Sequence, residues 1–166
     1  QRQMCIRDST IYKLTGIAPI GWHTRSSTSP FTRKLLIEHG GFLYDSNAYN
    51  DDLPYSLKLE NKKYIIMPYA FDTNDMRFEG SGGFIHAHDF SSYCVGAFDQ
   101  LLSETKDGSM RMMSIGLHPR IIGRPGRISG LETLLKHIQA VNSSWVSSRA
   151  DTVSYTHLRA HETKCY

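Results

Sequence analysis

Two aspartates and a histidine offer this 166-residue chain its clearest chemistry. Asp72-Thr73-Asn74-Asp75 follows the apolar run Tyr64-Ile65-Ile66-Met67-Pro68-Tyr69, and His118 follows Ser114-Ile115-Gly116-Leu117. A histidine exchanges protons near neutral pH, and a nearby carboxylate can orient its ring. The same residues have plainer uses: D-x-x-D on a loop forms Asx-turns, and His118-Pro119 can simply end a strand. Gly21-Trp22-His23-Thr24-Arg25 combines an aromatic platform, a second imidazole and a fixed cation. The planar fork of Arg25 suits a carboxylate, of a catalytic residue or of a substrate, or an ordinary surface ion pair. Asp51-Asp52-Leu53-Pro54-Tyr55 reads as a rigid acidic turn. His86-Ala87-His88 puts two imidazoles on one face of a strand, but two ligands leave a zinc site incomplete and spacing identifies no third. Gly123-Arg124-Pro125-Gly126-Arg127 precedes a helical pattern and could receive an anion, yet it lacks the lysine of a Walker loop.

These residues need elements to carry them. Ser29-Pro30 before Phe31–Glu38 predicts a capped helix with Phe31, Leu35 and Leu36 on its apolar stripe, ended by Gly40-Gly41. Phe42-Leu43-Tyr44 reads as a short buried strand, and residues 64–69 as a second. Asp89 is expected to cap a helix through Tyr93, Cys94, Ala97, Phe98, Leu101 and Leu102. Met110 to Leu117 reads as a third strand, Ser129 to Val141 as a third helix, and Ser144-Trp145-Val146 as a last strand. Such alternation predicts an α/β fold with a mainly parallel sheet, whose chemistry gathers beyond the strands' C-terminal ends. Asp72–Asp75 and His118 occupy such positions.

The two ends read differently. Met4-Cys5-Ile6-Arg7-Asp8 can be written as ATG TGT ATA AGA GAC, and its reverse complement, GTC TCT TAT ACA CAT, encodes Val153-Ser154-Tyr155-Thr156-His157. Ends that encode one another in this way point to DNA handling rather than selection, and they resemble translated transposon-adapter sequence. Residues 1–9 and 152–166 are therefore expected to be adapter-encoded, leaving 10–151 as the body. Arg2 and Arg7 outnumber Asp8, and Arg159 and Lys164 outnumber Glu162, so little of the +3 formal charge belongs to the body. Nothing in that balance asks for nucleic acid. Cys94 alone remains of three cysteines, which argues against a disulfide framework and suits a reducing, cytoplasmic compartment. No apolar run approaches the ~18–20 residues of a membrane span.

Longer stretches carry a resemblance. GGFLYDSNAYNDDLPY (40–55), PYAFDTNDMRF (68–78) and MMSIGLHPRIIGRPGR (112–127) resemble the polysaccharide deacetylase superfamily, and its allantoinase-type branch most closely. The likeness runs through most of Thr15 to Arg149 and includes loop residues as well as apolar pattern. It implies a partial deformed (β/α) barrel with the N-terminal strands missing, residues 10–151 being the C-terminal portion of a catalytic domain. It further implies hydrolysis of a C–N amide bond. His118 would protonate the leaving nitrogen, and Asp75 or Asp72 would set its tautomer and raise its pKa. Arg25 would complete the catalytic set; Trp22, His23, Asp51, Asp52 and Tyr69 would bind substrate. The family often has Arg before the Pro of its third motif, where this chain has Ala18-Pro19.

Three readings follow. The first is ring-opening of a cyclic ureide such as allantoin, with no cofactor. The second is a metal-dependent deacetylase of N-acetylated polysaccharide, with zinc held mostly by residues of the missing N-terminal half. The third is a non-catalytic binding protein or an inactive fragment. The implied partners are a ureide or an N-acetylated sugar; neither nucleic acid nor membrane is implied, and a homo-oligomer is compatible with all three.

Overall fold

The structure is a computed structural model that describes residues 2–25, 28–59, 62–105 and 108–162. Gln1 and residues 163–166, parts of the two expected adapter-encoded ends, lie outside the described residues, Cys165 among them. The chain divides into two compact units, one of residues 1–69 with 147–166 and one of Ala70–Val146. Among the described residues no helix is long and apolar enough to cross a membrane.

The first unit is built on a four-stranded sheet of order β1-β2-β4-β3, formed by β1 (Gly21–Trp22), β2 (Tyr44–Asp45), β3 (Tyr55–Leu59) and β4 (Lys62–Ile66). β1, β2 and β4 run parallel, while β3 and β4 form an antiparallel ladder from Tyr55↔Ile66 to Leu59↔Lys62. Helices α1 (Arg2–Thr15), α2 (Thr32–His39) and α6 (Arg149–Glu162) complete the unit. Leu36, Ile37, Phe42, Ala48, Tyr64 and Ile66 form its core, with Trp22, Tyr55 and Leu57 packed against them. Gly21 is required where it stands: a Cβ there would lie 2.1 Å from the Tyr44 ring.

The α/β expectation holds, with differences in detail. Helix α2 begins at Thr32 with Phe31 as its N-cap residue, not Ser29, and Phe31 is exposed rather than part of the apolar stripe. Leu36 and Ile37 are the residues that it buries. Gly40 ends it as expected, in the left-handed region at φ 80°, with its N–H on Leu36 O. The β3 strand was not foreseen. Its side chains are mostly exposed or half-buried, as on an edge strand, so it lacks the apolar run that marked β4.

The described parts of the expected adapter-encoded ends are helical. Arg7 stands over the Trp22 ring at 4.5 Å, Asp8 meets His39 at 2.9 Å, and Val153 is buried.

The second unit packs α3 (Ala87–Glu104) on α5 (Ile128–Gln139), beside the short α4 (Pro119–Ile122) and a 3-10 turn at Asp75–Phe78. Phe84, Phe90, Cys94, Ile122, Leu134 and Ile138 form its core. Gly130 lets the helices approach closely, since a Cβ there would lie 2.2 Å from Ala87 O. Two expected strands are absent as such. Residues 110–117 pair only through an isolated parallel bridge, Asn74↔Gly116. Residues 144–146 form no strand, and Trp145 and Val146 are exposed. Apolar character gives a segment the capacity to be a strand, but only a backbone partner makes it one.

Asp89 caps α3 from inside rather than as the N-cap residue. His86 holds that position, and Asp89 Oδ2 accepts the N–H groups of His86 at 2.8 Å and Ile85 at 2.9 Å. Those bonds, His86's first, hold the Asp89 carboxyl below its ordinary value. A depressed carboxyl adds stability that is present above its unfolded pKa of about 4 and lost as pH falls through the lower folded value. Asp89→Asn is therefore expected to lower Tm at pH 7, with the gap to the parent closing at acid pH. Thermal melts across that range check this, and a gap that widens in acid would contradict it.

Candidate active site

The site in the second unit begins with a backbone clasp. Asp75 N donates to Gly116 O at 2.9 Å, and Gly116 N donates to Thr73 O at 3.3 Å. This clasp brings the 72–75 loop beside a segment ending in Leu117-His118. Asn74 then starts the 3-10 turn, its side chain accepting from Met76 N at 2.8 Å. Asp75 is carried inward and is fully buried.

Three donors surround the Asp75 carboxylate. His118 N donates to Oδ2 at 2.6 Å, Ile122 N to Oδ2 at 3.2 Å, and His118 Nδ1 to Oδ1 at 2.6 Å. A carboxylate only accepts, so the ring proton sits on Nδ1 and Nε2 is turned away from the aspartate. The His118 side chain keeps 29% of its surface exposed. His118 also precedes Pro119 at the start of α4, and its carbonyl accepts from Ile121 N and Ile122 N. One carboxylate thus binds both the turn that carries the histidine and the imidazole itself. This arrangement can move a proton at Nε2.

The sequence left Asp72 and Asp75 as alternative partners for His118; the geometry brings Asp75 to it. Asp72 is exposed, its carboxylate accepting from Tyr93 Oη at 3.4 Å and its carbonyl from Arg77 Nη1 at 3.0 Å. His86 and His88 form no pair on a strand, because His88 lies in the first turn of α3 beside Asp89. Among the described residues no three His, Cys, Asp or Glu side chains come together to hold a metal ion. The described donor set therefore does not fit a zinc site. Cys94 is buried, and burial pushes its thiol up to about 12, so it is no nucleophile near neutral pH.

The other expected residues lie in the first unit, and there they separate. Trp22 Nε1 donates to Thr24 Oγ1 at 2.9 Å. His23 is exposed, with Nδ1 2.8 Å from Ser46 O, and its ring lies 5.0 Å from that of Tyr69. These contacts join the segments that leave β1, β2 and β4, at the C-terminal ends of the parallel strands. Arg25 is exposed. Asp51 and Asp52 make a local turn, Asp51 Oδ1 accepting from Asp52 N at 2.8 Å and Leu53 N at 3.1 Å. That is the rigid acidic turn read from the sequence.

Sequence reasoning passed over three residues. Asp45, fully buried at the end of β2, accepts from Arg33 Nε at 2.8 Å and Arg33 Nη2 at 3.2 Å. That hydrogen bond, and then the charge of Asp45, hold the Arg33 guanidinium above its ordinary value despite burial. A charged residue following the apolar Phe42-Leu43-Tyr44 was the available signal, because a buried carboxylate needs a cation or donors. Arg149 bonds to Ser46 Oγ and stands 5.8 Å over the Tyr69 ring. At more than a hundred positions from Ser46, it left no local signal.

Comparison with known proteins gives a consistent picture. No family model matches the chain. A Schizosaccharomyces pombe protein provisionally named a polysaccharide deacetylase is 39% identical over 147 residues, covering 80% of this chain and 45% of the relative. A solved structure of a Pseudomonas aeruginosa PAO1 protein, provisionally assigned as a polysaccharide deacetylase, superposes with TM-score 0.89 at 41% identity. It covers 95% of this chain, which spans 52% of it. The structure of the PuuE allantoinase superposes with TM-score 0.88 at 39% identity, over 99% of this chain and 53% of that one. The chain thus spans about half the length of the relatives that it matches.

Proposed function

The chain has the polysaccharide deacetylase-type fold, and on that premise we propose that it carries the proton-transfer pair of a hydrolase of amide C–N bonds, acting on a cyclic ureide such as allantoin. The hydrogen-bonded Asp75–His118 pair, with Nε2 turned away from the aspartate, carries this reading. His118 Nε2 takes a proton from water as the water oxygen bonds to the amide carbon. The same proton passes to the ring nitrogen as the C–N bond breaks, giving a carboxylic acid and a freed N–H. Asp75 keeps the ring in the tautomer that can do both, and its charge favours the transient imidazolium. Trp22, His23, Arg25 and Tyr69 are proposed as substrate-binding groups of the first unit, where a guanidinium can pair with a carboxylate or an oxyanion. The body taken as native is 10–151.

The likeness to the allantoinase structure favours a ureide. The names of the S. pombe and P. aeruginosa relatives support a second reading, release of acetate from an N-acetylated sugar polymer. The two separate in one assay series. The chain is completed to the relatives' full length, and the protein is given allantoin or an N-acetylated chitooligosaccharide, with and without a chelator. Ring-opening that survives chelation supports the proposal. Acetate release that chelation abolishes, with allantoin untouched, replaces it with the second. The 166-residue chain alone is expected to turn over neither, because exposed edges of a parallel sheet favour association over a folded site.

A further inference from the structure

Arg77 lies two positions beyond Asp75, within the 3-10 turn, and belongs to no step described above. Its guanidinium carbon sits 4.5 Å from the centroids of both Phe84 and Tyr93, in the notch that those rings make at 5.9 Å from one another. Its Nη1 donates to Asp72 O at 3.0 Å, while Tyr93 Oη donates to Asp72 Oδ2 at 3.4 Å. Its backbone is held as well: Arg77 N donates to Asn74 O at 3.2 Å, and Arg77 O accepts from Phe84 N at 3.0 Å. Gly83 permits that closure, since a Cβ there would lie 1.8 Å from Arg77 O. Tyr93 lies on α3, and Phe84 is buried in the unit's core. One planar cation therefore ties the start of the 72–77 loop to two fixed rings.

Asp75 lies inside that loop, and its single carboxylate must meet three donors at once, two of them at 2.6 Å. A small rotation of the turn would lose the Nδ1 bond first, because the imidazole can swing while the backbone donors cannot. We propose that Arg77 is a positioning residue, with Asp72 and Tyr93 as its partners, that fixes the aim of Asp75 and so the tautomer of His118. Asp72 is then part of the brace and not an alternative partner for the imidazole. An ammonium could keep the charge, but it could not both lie flat in the notch and reach the carbonyl. The proposal rests on the Asp75–His118 pair being the proton-transfer pair.

The test uses the chain completed to full length and two readouts, turnover of allantoin and the 15N signals of the His118 ring. Arg77→Ala is expected to lower kcat ~10–100-fold, with KM within about twofold, as misplacement of a reacting group does. The Nδ1–H signature of His118 should give way to mixed tautomers. Arg77→Lys should recover only part of both, and Arg120→Ala, an exposed cation on α4, should change neither. Wild-type kcat and an unchanged ring spectrum in Arg77→Ala would overturn the proposal, as would a fall in Tm with the spectrum intact. If that variant does not fold, Tyr93→Phe removes only the hydroxyl bond to Asp72 and should shift the spectrum the same way, by less. No shift there also overturns it. The spectrum needs no turnover, so a protein inert to ureides whose ring still responds at position 77 loses the proposed reaction and keeps the brace.

Discussion

His118→Ala, in the chain completed to the length of its relatives, is expected to cut ureide turnover by ~10²–10⁴-fold, the usual worth of a positioned general acid–base. Two features of the ring make the loss that large. Its Nδ1 is committed to Asp75 at 2.6 Å, so the whole proton traffic falls on Nε2. The described residues offer no second imidazole to Asp75, so nothing takes over when this one is removed. Stability should change little, because the backbone N–H of residue 118 still bonds to Asp75 Oδ2 whatever the side chain. The loss should appear in kcat with KM nearly constant, since a group acting only in the transition state does not hold the ground state. Single-turnover rates and urea melts on the same preparation check both halves. A variant that unfolds readily yet keeps its rate when folded would assign His118 to a structural role alone.

Asp75 should respond in two distinct ways. Asp75→Asn keeps the volume but offers one accepting oxygen where three donors converge. The amide NH2 must then face a donor or find an acceptor, and the imidazole can supply one by moving its proton to Nε2. That tautomer cannot accept a proton from water, so turnover is expected to fall ~10³–10⁴-fold with the fold intact. Ring 15N shifts should show the exchange directly. Asp75→Ala leaves the N–H of His118 without its acceptor, while Ile122 N keeps its bond to His118 O. At roughly 1–3 kcal/mol for a buried donor, stability should drop by about that amount. Denaturant titration measures this, and a midpoint unmoved from the parent's would show that water or backbone replaces the carboxylate.

The residues themselves marked several of the elements and the groups with chemistry to offer. Gly40 had to end α2, because a left-handed cap disfavours any side chain. The buried run at 64–66 had to be a strand, and the loop after it had to carry its polar residues. His118 stood out because an imidazole after an apolar segment is chemically conspicuous, and the loop motifs around it carried the family likeness. Pairing was another matter. Asp72 and Asp75 both lie more than forty positions from His118 along the chain, and only the Gly116 clasp, closed across a similar span, turns one inward and leaves the other against Tyr93. Residues 110–117 and 144–146 look strand-like in isolation, yet a ladder depends on a backbone alongside, which no local pattern encodes. The same holds for Arg33 with Asp45, Arg149 with Ser46, and Arg77 in its notch. Side-chain chemistry and local propensity are properties of short stretches. Which donor meets which acceptor is settled only when distant segments share one packed interior, where a buried polar group must find a partner.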